Sequence, residues 1–141
     1  MAISKDSNGY AEMRLVENIL RFEKHFANAQ KLRDKNVLDY LIYNTLAMEC
    51  FQAVNALIEI VEHIVSEEKL GFPSTYREIF EILKNEGIIS SEVFNHAKRL
   101  IFLRYMKVHE FYRIGEGELL EMVELLEVVS DFVQKVKKTK K

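Results

Sequence analysis

Backbone breakers are scarce in this chain, and that scarcity limits its fold more than any other feature. Its 141 residues include one proline, Pro73, and five glycines. Gly71 stands beside the proline, and Gly87, Gly115 and Gly117 mark the later breaks. The stretches between them suit helices of many turns and are too long for the short strands of a sandwich or barrel. Hydrophobic residues make up 48% of the chain, enough for a core, and charged residues 30%, enough for a solvated surface. The length fits one domain over residues 1–141.

Helical periodicity fills in the elements. A first helix is expected from about Gly9 to Arg33, with Leu15, Ile19, Phe22 and Phe26 as its stripe. Asp34-Lys35-Asn36 breaks it. A second, long helix is expected from Val37 to Glu68, with Leu38, Leu41, Ile42, Leu46, Ala53, Leu57, Ile60, Val61 and Ile64 along its apolar face. Thr75 and Glu78 have the spacing of a capping box and open a short third helix from Tyr76 to Asn85, with Gly87 as its C-cap. Ser90 caps a fourth helix, running from Ser91 to about Tyr112, and the fifth runs from Glu118 to about Lys137. The fold class is all-α: an up-and-down bundle of four or five helices.

The net charge of −2 is unevenly spread. Five lysines fall in residues 135–141, a tail expected to be frayed and solvated, and without them the remainder carries −7. An acidic body excludes a general nucleic-acid binder, so any RNA site is local. The polar N-terminus lacks the apolar run of a signal peptide, and Glu59 and Glu62 interrupt the longest apolar stretches, so no membrane span is expected. The one cysteine, Cys50, reads as a small buried hydrophobe, and cytoplasmic life follows.

The histidines are His25, His63, His96 and His109. The residues three before them, Phe22, Ile60, Val93 and Met106, are not carboxylates, so the Glu-x-x-His pattern of a bundle metal site is missing. His-x-x-x-His and glycine-rich phosphate loops are missing too, so neither metal nor cofactor is expected. On the second helix, Thr45, Glu49 and Gln52 share a face, either the wet side of the helix or the edge of a cleft. Glu49 is the member able to orient a histidine. On the fourth helix Arg104 is followed five residues later by His109, a phosphate-gripping cation and a proton carrier. Tyr105, His109 and Tyr112 share one face, and Arg104 lies about 140° away around a regular helix.

Three stretches together resemble the HepT-like toxin family, part of the HEPN superfamily of α-helical ribonucleases. They are Phe51 to His63, Pro73 to Leu83 continuing into Glu86-Gly87-Ile88-Ile89, and Phe102-Leu103-Arg104 through His109-Glu110-Phe111. The likeness covers nearly the whole chain. Where the family carries Arg-Asn-x-x-x-His-x-Tyr, this chain keeps Arg104 and His109, with Tyr105 in place of the asparagine and Phe111 in place of the tyrosine.

The resemblance implies a homodimer whose two Arg/His sets meet in a cleft. It implies metal-independent cleavage of RNA. It also implies a partner, a minimal nucleotidyltransferase antitoxin able to adenylylate the motif tyrosine. In that scheme His109 takes the ribose 2′-hydroxyl proton, Arg104 grips the phosphate, and Tyr105 stacks on a base. Phe111 has no hydroxyl to modify, and Tyr112 is the neighbouring one. A second reading stays open: a catalytically weak bundle serving as the regulatory subunit of that nucleotidyltransferase.

Overall fold

A computed structural model describes the backbone of residues 2–108 and 114–139, and the side chains of 9–106 and 114–139. Within them the chain forms five helices and no strand: α1 (Ala2–Arg33), α2 (Tyr40–Glu67), α3 (Tyr76–Asn85), α4 (Ser91–Val108) and α5 (Glu116–Thr139).

The long helices run up and down. α1 and α2 form an antiparallel hairpin, cross-linked by Arg21 to Glu59 at 2.9 Å and by His25 to Glu49 at 3.1 Å. α4 and α5 form a second hairpin, joined by Arg99 to Glu121 at 2.9 Å. α5 returns alongside α1, where Lys137 meets Glu23 at 3.0 Å and Arg33 meets Glu127. α3 is short and packs on α2 and α4. One core joins all five, with Phe22, Leu57, Phe80, Leu100 and Leu126 fully buried. Each such side chain contributes about 1.5–3 kcal/mol by leaving water.

α2 begins later than its apolar pattern suggests. Asp39 accepts the N–H of Leu41 at 2.9 Å and of Ile42 at 3.2 Å, so the helix starts at Tyr40. Leu38 falls outside it, and Leu38 and Leu41 are exposed instead of joining the core. α1 starts at Ala2, ahead of the expected Gly9. The lysine-rich end is also not frayed through its length. α5 continues to Thr139, Val136 is buried, and Lys137 is paired. The expected end of the fourth helix near Tyr112 lies outside the described residues.

α3 matches its expected bounds. Thr75 accepts the Glu78 N–H at 3.1 Å, as a capping box requires, but the Glu78 carboxylate turns to Ser74, taking its N–H at 2.6 Å and its hydroxyl at 2.7 Å. These bonds, the Ser74 hydroxyl first, hold the Glu78 carboxyl below the usual carboxylate range. Gly87 follows with φ 75, the left-handed geometry of a helix stop. This cap fixes where Tyr76, the first residue of α3, meets α4.

Candidate functional site

Arg104 lies one turn before the described end of α4 and is half-buried. Its Nε donates to Asn55 Oδ1 on α2 at 2.7 Å. Its guanidinium carbon lies 5.0 Å from the centre of the Phe51 ring and 5.5 Å from that of Tyr76, within cation–π range of both. Phe51 and Asn55 are four apart, hence neighbours on one face of α2. The cap on α3 brings Tyr76 to the same place.

This hold differs from that of four other arginines. Arg21, Arg33, Arg77 and Arg99 each pair with a glutamate. Among the described residues, no carboxylate lies within ion-pair distance of Arg104. The nearest acid further along the α2 face, Glu59, is paired with Arg21. Glu62, a turn beyond, is pushed up by burial and then by the Glu59 charge. An open cleft of 460 Å³, lined by Glu62, Pro73, Ser74, Thr75, Tyr76 and Ile79, adjoins the Tyr76 side.

Tyr105, next to Arg104, is 57% exposed, and Phe102 is 51% exposed. Their neighbours Leu100 and Leu103 are fully buried. This stretch of α4 therefore shows two rings at the surface, Phe102 and Tyr105. His109 and Tyr112 lie outside the described residues, as does Phe111. The chain after them returns at Ile114, which is buried and whose carbonyl accepts the Tyr43 hydroxyl of α2. A cleft of 390 Å³ opens there between Val37, Tyr40, Tyr43, Ile114 and Glu116.

Glu49 does hold a histidine, but the histidine is His25 of α1. The carboxylate lies 3.1 Å from His25 Nδ1 and accepts from Asn28 at 3.2 Å. Its side chain is only 14% exposed, so it departs from the wet face that Thr45 keeps. Its partners sit on α1, whereas those of Arg104 sit on α2 and α3. Asn55, Phe51 and Tyr76 escaped the sequence reading. The available signal was weak: a mid-helix asparagine, a poor helix former, one turn from a phenylalanine.

The ribonuclease HepT-like family model matches residues 15–136. The mRNA nuclease HepT of Shewanella oneidensis is 23% identical over 100 residues, 70% of this chain and 75% of that protein. Among solved structures, the tri-AMPylated Shewanella oneidensis HEPN toxin in complex with MNT antitoxin superposes with a TM-score of 0.81 at 20% identity. It covers 89% of this chain and 97% of that one. YutE of Bacillus subtilis, a cytosolic protein of unknown function, superposes with a TM-score of 0.75 at 16% identity, covering 91% of each chain. At these identities the superpositions speak for the fold. The family match spans α2 to α4 whole and most of α1 and α5, so the chain belongs to the ribonuclease HepT-like family.

Proposed function

We propose that this chain is a ribonuclease toxin that cuts RNA without a metal and is held in check by a minimal nucleotidyltransferase antitoxin. The observation that carries the reading is Arg104, a half-buried guanidinium held by an amide and two rings with, among the described residues, no carboxylate against it. Such a group suits a phosphodiester. His109 follows five residues later and supplies the proton chemistry.

The proposed step is a transesterification. His109 takes the proton from a ribose 2′-hydroxyl, and that oxygen attacks the adjacent phosphorus. The bond from phosphorus to the 5′-oxygen breaks, and the departing oxygen receives a proton from imidazolium, on this chain or its twofold copy. The products are a 2′,3′-cyclic phosphate and a 5′-hydroxyl. Positioned acid–base work of this kind is worth roughly 10²–10⁴-fold. Arg104 stabilises the charge that gathers on the phosphate oxygens. Tyr105, exposed beside it, offers a stacking surface for a base.

We propose further that the active form is a homodimer joined through the α4 face that exposes Phe102, placing two Arg104/His109 sets together with Tyr105 at the cleft between them. A monomer by light scattering at micromolar concentration contradicts the dimer. The reading places the protein in the cytoplasm, and among the described residues no helix is long and apolar enough to cross a membrane.

The test of the activity is cleavage of a transcribed mRNA by the purified full chain in chelator. Arg104→Ala and His109→Ala should each remove most of it, roughly 10²-fold or more. Tyr105 and Phe111, where the family motif has asparagine and tyrosine, favour the second reading, a regulatory subunit of the nucleotidyltransferase. No cleavage by the wild-type chain, with retained binding to that partner, selects it.

A further inference from the structure

Among the described residues, four arginines are paired with a glutamate: Arg21, Arg33, Arg77 and Arg99. Each described arginine with a side-chain partner, apart from Arg104, reaches a glutamate. The chain carries 22 acidic residues, so carboxylates are in ample supply. Yet the side chain bonded to Arg104 from α2 is the neutral Asn55, and the rings near the guanidinium, Phe51 and Tyr76, are uncharged. Asparagine is a poor helix former in the interior of a 28-residue helix. Mid-helix asparagines often bond back to their own helix. The Asn55 carbonyl reaches across to α4 instead, taking the Arg104 Nε–H at 2.7 Å.

We propose that Asn55 is a positioning residue: it fixes the Arg104 guanidinium through Nε while leaving its full charge and its Nη groups for substrate phosphate. The inference rests on the reading of Arg104 as the phosphate grip. Nε is the one nitrogen whose bond sets the rotation of the guanidinium plane without occupying the terminal pair. An oxygen acceptor there defines orientation. A carboxylate there would define it equally well but would cancel the charge that phosphate needs. Phe51 and Tyr76 both lie within cation–π range of the guanidinium, and Arg104 is half-buried, so its charge is less screened than one in open water. The substitution Asn55→Asp therefore separates two roles that look alike in a static structure. If Asn55 only holds α4 to α2, a carboxylate in its place serves as well or better. If it tethers the arginine while sparing its charge, the carboxylate harms the site.

The experiment measures binding of a transcribed mRNA to the full-length His109→Ala protein across salt concentrations, and cleavage turnover on the His109-containing chain. Asn55→Asp should keep the thermal midpoint, weaken binding about tenfold, and reduce the salt slope by about 0.7, the value of one single-strand phosphate contact. Asn55→Ala keeps the charge, so its salt slope should stay at the wild-type value while turnover falls roughly 10- to 100-fold through misorientation. Both effects should vanish in an Arg104→Ala background. Wild-type binding and salt slope in Asn55→Asp overturn the proposal, as does an undiminished effect of either variant in the Arg104→Ala background. Should Asn55→Asp fold poorly, Asn55→Ala with and without Arg104 decides by the same criterion. If Arg104→Ala itself leaves binding and cleavage unchanged, the phosphate reading falls. If Arg104→Ala is defective and the Asn55 variants behave as wild type, the role of Asn55 alone falls.

Discussion

A guanidinium near two rings is more than a point charge. Arg104 lies within cation–π range of Phe51 and Tyr76 and donates from Nε to Asn55. Lysine offers neither a plane to stack nor an Nε–H to tether. Arg104→Lys should therefore fold normally yet lose most of the cleavage that arginine supports, with turnover falling by at least about tenfold. Wild-type turnover in Arg104→Lys would show that charge alone suffices there. The arginine is a candidate in the sequence, where its spacing from His109 alone is a weak signal and the resemblance of the surrounding chain strengthens it. Its setting is not legible there. Asn55 lies 49 residues away along the chain, and no local pattern links it to Arg104. Glu49 shows the converse: its ability to orient a histidine is legible, but which of four histidines it meets is decided by the packing of α1 on α2.

Elements are legible where punctuation and pattern agree. α3 is bounded by Thr75 and by Gly87, and both signals are strong. The start of α2 differs from the expectation because Leu38 extends the apolar pattern ahead of the Asp39 cap. The C-terminal lysines look like a solvated tail, yet Val136 is core and Glu23 waits on α1 for Lys137. The α3 cap also makes a pH prediction. Hydrogen bonds from Ser74 hold the Glu78 carboxyl below its usual range. A depressed carboxyl stabilises the fold fully above the ordinary carboxylate range and loses that contribution as pH falls through its lowered value. Glu78→Gln should therefore be less stable than wild type near neutral pH, by denaturant midpoint. The gap should close as acid protonates Glu78. A gap that stays constant with pH would mean that the carboxylate charge plays no part in the cap.

At the scale of the molecule, five helices in two antiparallel hairpins and one short packing helix bring α2, α3 and α4 together at a single point on the surface. The all-α class follows from scarce breakers and long periodic stretches. The outward faces do not, since a single chain's periodicity does not tell which apolar side chains stay outside the core. Phe102 and Tyr105 on α4 remain exposed after the core is filled. In the proposed function that surface, Arg104 and the neighbouring His109 make one ribonuclease centre. The most direct test is the chemistry of the ends it leaves. RNA cut in chelator by the purified chain should carry 2′,3′-cyclic phosphate and 5′-hydroxyl termini by mass spectrometry, since the ribose oxygen is the nucleophile. Termini bearing 5′-phosphate and 3′-hydroxyl would mean that water attacks instead, and would contradict the roles given to His109 and Arg104.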